Sequence, residues 1–340
     1  MNDFLKSQHL ADMTPDEERW LDKRLSELSV KEHLILNGLT VYAPPKSSMD
    51  MINLVQNIHD CDICFDVGNK DGLGAFVARE IEGVSPAYMG FIDTEKLAEK
   101  YMEQHPGVFS DGNYIEISEN GLWHYYDGRN LDQLADEDWS VKLKLTAAGH
   151  PEGVWLRLPD YQDANDGKPD EIKIALTALE AMRVDECLIV DYKCSLPRAG
   201  DLVLQYGSIA KLIYDGNNLG FVLDERGQGM RNFMELYQAA LEYEDCSTLA
   251  EALDIAENLT RYKLVPLPGV KDYAMDELKK SGVKLSDAAT AAFDFERYGV
   301  ELMEEHGFIF SEDVQAYISK IGAIPQYDRA MEPFSGMVLE

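Results

Sequence analysis

Two cysteines at CxxC spacing, Cys61 and Cys64, follow His59 by two and five positions and make the first candidate for chemistry in this chain. A thiolate zinc site takes four ligands, usually as two such pairs, and no second CxxC is present. A redox pair needs a helix N-terminus to depress a thiol pKa, whereas these cysteines sit in an extended, apolar stretch. His105 and His306 each follow a glutamate (Glu103, Glu304) by two residues, the raw material of a general base oriented by a carboxylate. A histidine in a last helical turn more simply meets the terminal carbonyls of that helix. The glycines at 216–220 and at 227 and 229 lack the GxGxxG or GxxxxGK[ST] context of a phosphate cradle, and neither GxSxG nor HExxH occurs. These residues give no catalytic constellation. The chain reads as a non-enzyme without metal or cofactor, and the enzymatic alternative is a hydrolase using His306 with a nearby carboxylate.

What the chain has in quantity is negative charge. Its 340 residues carry 62 Asp and Glu against 31 Lys and Arg, a formal net charge of -31. The excess divides evenly, with 27 acids and 11 bases in residues 1–140 and 35 and 20 in residues 141–340. An acidic disordered tail would be one block poor in apolar residues. Here 45% of the chain is hydrophobic, so the acids belong to the outside of folded bodies and repel one another. Without a basic stripe, direct nucleic-acid binding is disfavoured. No run of 18 apolar residues suggests a membrane span. Five cysteines fit a reducing cytoplasm better than a disulfide framework.

The elements that must position these acids show an internal duplication. About 47–111 aligns on 248–312 without a gap, most clearly where Asp93, Glu95, Met102, Glu103, His105, Phe109 and Ser110 match Asp294, Glu296, Met303, Glu304, His306, Phe310 and Ser311. Two copies of a long period mean duplicated domains and not a solenoid. Each copy reads as a helix (Ser48 to Ile58; Thr248 to Leu259), a short extended stretch, a second helix from Lys70 or Lys271, and a third capped by Asp93 or Asp294. Between them, Val141 to Thr146 and Gly153 to Leu158 alternate as paired strands. Asp160 to Asp170 is an acidic loop, Pro169 to Ala181 a helix, and CLIVDY (187–192) a short buried strand. The fold class is α+β, an elongated multi-domain chain of small α+β modules. Its segments are an N-terminal helical lead (1–46), the first copy with an acidic linker (47–139), a strand-containing module (140–205), a helical module (206–246), the second copy (247–320) and a tail (321–340).

Taken together, residues 140–318 resemble the ArdA family of antirestriction proteins. The resemblance is carried in order by EGVWLRLPD (152–160), VDECLIVDYKCSLP (184–197), GSIAKLIYDGNNL (207–219) and AAFDFERYGVELMEEHGFIFSEDVQAYI (291–318). The chain departs from the family at Val300–Glu301, where Arg-Asp is usual, and at Ile213, where an Asn is. The resemblance implies a cytoplasmic, homodimeric DNA mimic that occupies the DNA-binding groove of a type I restriction-modification complex. Duplex DNA carries about one charge per 1.7 Å of axis, so the excess matches the phosphates of roughly 15 base pairs.

The acids expected to form the binding surface collectively are those placed on helices and loops free of neighbouring bases. They are Asp160, Asp163, Asp166 and Asp170 in the loop, then Glu242, Glu244 and Asp245, then Glu251, Asp254 and Glu257, with Asp50, Glu301, Glu304 and Glu305. The rival binding reading aims the same mimicry at a CRISPR effector, a repressor or a nucleoid protein.

Overall fold

Helix starts are where local sequence acts most directly. Thr14 caps α1 (Pro15–Leu25), Ser29 caps α2 (Val30–Tyr42) and Ser47 caps α3 (Ser48–Gln56). In each, the hydroxyl accepts the N–H three residues on, while Glu17, Glu32 or Asp50 accepts the cap's own N–H. Such a reciprocal pair satisfies two donors that a helix leaves open. The α3 cap is one residue earlier than the Ser48 suggested by the sequence.

The computed structural model describes residues 13–134, 140–160, 171–194, 206–227 and 232–322. They group into two compact units, the first ending at Asp191 and the second running from Tyr192, with residues 140–141 added to the second. In the first unit a 3-10 turn (Asn57–Asp60) leads from α3 to β1 (Asp62–Cys64), α4 (Lys70–Phe76), α5 (Thr94–Gln104) and the hairpin β2 (Gly107–Ser110) and β3 (Asn113–Glu116). The antiparallel sheet has the order β1-β3-β2. Side chains on a strand alternate between faces. Ile63 and Ile115 therefore join Leu21, Leu36, Leu39, Met51 and Ile52, while Cys64 and Tyr114 join Leu73, Phe76, Ala98 and Tyr101 on the opposite side. One sheet thus divides two helical layers, and the helices of the N-terminal lead belong to the first of these cores.

That alternation accounts for the CxxC pair. Cys64 is fully buried, and its thiol donates to Glu116 Oε1 at 2.9 Å. Burial pushes the Cys61 thiol up to about 12, so that sulfur is not poised as a thiolate.

The chain continues with β4 (Val141–Ala147), β5 (His150–Leu158), α6 (Glu171–Ala178) and β6 (Leu188–Cys194), all within the first unit except Val141 and the last three residues of β6. The strand order is β5-β4-β6. β6 corrects the expectation of a buried strand: it lies at the sheet edge, with Leu188 and Val190 70% and 56% exposed. Its apolar residues record strand propensity, which does not distinguish an edge from a centre.

The second unit holds α7 (Ile209–Gly227), α8 (Phe233–Tyr243), α9 (Leu249–Glu257), β7 (Tyr262–Pro266), α10 (Val270–Lys280), α11 (Asp287–Ala292), α12 (Phe295–Glu305), β8 (Ile309–Ser311) and β9 (Ala316–Lys320). Its sheet order, β7-β9-β8, repeats that of β1-β3-β2. The aligned aspartates act alike, Asp93 accepting from Lys96 N at 3.1 Å and Asp294 from Arg297 N at 3.0 Å. One difference is sharp. At Gly74 an added Cβ would lie 1.8 Å from the Thr94 carbonyl oxygen, so α4 and α5 meet backbone to backbone. The aligned residue of α10 is Met275, 43% exposed, and there the close approach falls at Gly299 of α12, where an added Cβ would lie 2.7 Å from the Val270 carbonyl oxygen. The protein is α+β, and no helix among the described residues is long and apolar enough to cross a membrane.

Candidate acidic interface

The exposed acids gather most densely on α12. Its inner face is set by Phe295, Gly299 and Met303, which leaves Glu296, Glu301, Glu304 and Glu305 exposed. Glu301 and Glu305 stand one turn apart, about 6 Å along the axis. Like charges at that spacing oppose a helix by a few tenths of a kcal/mol. Glu301 also pairs with Arg297 at 3.0 Å, a neighbouring base that the sequence reading did not allow for. Beyond α12, the turn between β8 and β9 presents Glu312 and Asp313, both exposed, neither of which sequence reasoning selected.

Glu242 has a different role from the one expected. Its half-buried carboxylate accepts from Ser311 Oγ and from the backbone N–H groups of Glu312 and Asp313, the latter two at 3.3 and 3.5 Å. It anchors the turn that carries two acids and does not itself lead the surface. Glu244 likewise is not free of bases, accepting from Lys320 Nζ at 2.6 Å and Tyr262 Oη at 2.7 Å. Asp50 and Glu251 close capping boxes, each accepting backbone N–H groups at the start of its own helix. Asp254 and Glu257 are half-buried on α9, and Asp245 is exposed. Asp163, Asp166 and Asp170 lie outside the described residues.

Asp160 is the clearest correction. It is 1% exposed, and its two oxygens accept from Glu171 N at 2.8 Å and Ile172 N at 3.1 Å. An acid placed in a loop by sequence is in fact the buried anchor of the α6 N-terminus.

Around it lies a buried ionic network that the sequence did not reveal. Arg157 Nη1 donates to Glu32 Oε1 at 2.7 Å, and both residues are buried. Arg24 and Arg157 bring guanidinium nitrogens to within 2.9 and 2.7 Å of His59 ring nitrogens. Ser29 joins two carboxylates, its N–H donating to Glu32 at 2.7 Å and its hydroxyl to Glu171 at 2.9 Å. Burial alone would raise the Glu32 carboxyl, but Arg157, His59, Lys142 and Arg24 outweigh it and hold the group at about 2. Glu171 goes the other way. Burial, reinforced by Glu32 and Asp160, lifts it to about 8, so it holds a proton at neutral pH.

These opposite shifts set opposite pH slopes. Glu32 favours the folded state fully above its ordinary 4.5, and that contribution is lost as pH falls toward 2. Glu171 keeps in the fold a proton that the unfolded chain releases above 4.5, so stability falls as pH rises from there to about 8. The stability contributed by this pair, measured by unfolding across pH, should therefore peak near the ordinary carboxylate pKa. Glu171→Gln should flatten the fall above the peak, and a slope unchanged by that substitution would refute the assignment.

The hydrolase alternative rests on His306, whose Nδ1 lies 2.7 Å from Tyr273 Oη. No carboxylate is hydrogen-bonded to it among the described residues. In the first unit His105 stacks on Tyr101 at 4.3 Å between ring centroids, with Nδ1 3.6 Å from Glu116. No protein-family model, curated protein or solved structure matches the chain.

Proposed function

We propose that this protein is a DNA mimic of the ArdA kind, whose carboxylates replace phosphates in the DNA-binding groove of a type I restriction-modification enzyme. It inhibits that enzyme by occupancy, as a homodimer, without catalysis. The observation that carries this reading is the acidic face of α12 with the adjacent turn. Four glutamates are exposed on one 11-residue helix despite their mutual repulsion, and Glu242 is used up in anchoring two more acids. A surface kept only for solubility has no need to anchor its acids. The even division of the net charge of -31 supports the same reading, because a duplex is charged along its whole length. The first copy contributes Glu95, Glu99 and Glu103, exposed along α5 but interleaved with Lys96 and Lys100.

Inhibition by this route is a competition between polyanions, so it inherits the salt dependence of DNA binding. Mixed with a type I enzyme and its DNA, the protein should suppress DNA binding and cleavage at low salt and lose potency as salt rises. Absence of inhibition at low salt removes that enzyme as the target. Inhibition indifferent to ionic strength removes mimicry as the mechanism. Inhibition confined to a CRISPR effector, a repressor or a nucleoid protein would keep the mimicry and change the partner.

A further inference from the structure

The second copy contains an apolar groove among α10, α11 and the start of α12. In the first unit, Gly74 lets α4 close on α5 until backbone meets backbone. In the second, Met275 takes that position and the close approach is made instead at Gly299, where an added Cβ would lie 2.7 Å from the Val270 carbonyl oxygen; a cavity of about 290 Å³ lies among Met275, Leu278, Val283, Leu285 and Phe295. Its polar lining is also unlike the rest of the chain. Lys279 and Lys284 border it, and none of the residues that line it is acidic, in a protein with twice as many acids as bases. Both lysines are exposed. Their stems extend the apolar wall while their ammonium groups stand at the rim.

An apolar cleft near 300 Å³ with a few convergent charges is a small-ligand geometry. We infer that this groove binds a small amphipathic carboxylate, its alkyl tail on Leu278, Leu285 and Phe295 and its head between Lys279 and Lys284. Charge complementarity selects the anion: a cationic amphiphile would meet two ammonium groups, and a neutral one would leave them without a counter-ion. The site uses none of the acids assigned to DNA mimicry and stands or falls separately from that function.

Decanoate is the probe, titrated into the full-length protein and followed by the methyl resonance of Met275, with decanol as the uncharged control. Saturable shifts are expected with decanoate and weaker ones with decanol. Affinity should fall on shortening the chain, by up to about fourfold per methylene. Lys279→Glu with Lys284→Glu should weaken decanoate by about tenfold and leave decanol unchanged. Both positions are exposed, so folding, checked by circular dichroism, should be preserved. Thr290→Trp, from the exposed face of α11, should fill the groove and abolish both. No shift at millimolar decanoate, or equal affinity for decanoate and decanol, would overturn the inference.

Discussion

Glu32→Gln should destabilise the first unit by about 3–5 kcal/mol, the range for breaking a buried ion pair from one side. Glutamine can still fill the third position of a capping box, so the Ser29 cap is kept and only the charge is removed. What remains is a buried Arg157 guanidinium that has lost its 2.7 Å ion pair, in a network where Arg24 and Lys142 are buried too. Urea unfolding followed by tryptophan fluorescence reports on this unit through Trp20, Trp123 and Trp155. A loss below about 1 kcal/mol, the value of an exposed pair, would mean that water reaches the network and that its charges are not organising the unit. Replacing Glu32 and Arg157 together by apolar residues should cost less than the two single changes added, because residues in contact are coupled.

The second large effect is expected on function. Neutralising Glu296, Glu301, Glu304, Glu305, Glu312 and Asp313 together to Gln and Asn should abolish inhibition of the target enzyme. Singly, each should cost tenths of a kcal/mol to about 1 kcal/mol. At about 0.5 kcal/mol per site, six sites sum to about 3 kcal/mol, roughly a hundredfold in affinity. The substituted protein should be at least as stable as the parent, since repulsion along α12 is relieved. Loss of inhibition with stability kept separates a recognition surface from a fold defect. Full potency after block neutralisation would place the interface elsewhere or dispose of the mimic altogether.

The parts of this fold that were legible in sequence are those whose physics is local. Asp93 and Asp294 announce helix starts because a capping carboxylate meets an N–H three residues away. Ser29 and Glu32 make the same kind of local signal, a Ser-x-x-Glu box, which marks a helix start but carries nothing of the ion pair beneath it. Arg157, the partner of Glu32, is 125 residues distant, and nothing in the spacing of either residue indicates the other. Glu242 was misjudged for a related reason: its partners lie about 70 residues downstream, so its neighbours in sequence, an acidic run, suggested an exposed patch. Asp160 begins a polar stretch, yet the two N–H groups it caps belong to a helix 11 and 12 residues later. The exposure of Glu296, Glu301, Glu304 and Glu305 follows from helical spacing, because Phe295, Gly299 and Met303 take the inner face of α12.

The edge position of β6 bears on how copies of this protein behave in concentrated solution. An open edge with apolar side chains such as Leu188 and Val190 is a template on which another strand can pair. Asp191 and Lys193, which follow them on the same strand, are gatekeepers of the kind that discourage such zippering. The stronger guard is colloidal: at neutral pH a net charge of -31 per chain makes copies repel one another, so pairing through an edge without a dedicated interface is disfavoured. That guard vanishes near the isoelectric point of about 4.5, close to where Glu32 and Glu171 together make the first unit most stable. The pH that best protects the fold from unfolding is thus the one at which folded molecules are least protected from each other. Precipitation there would be assembly of native particles through their edges, reversible on raising the pH.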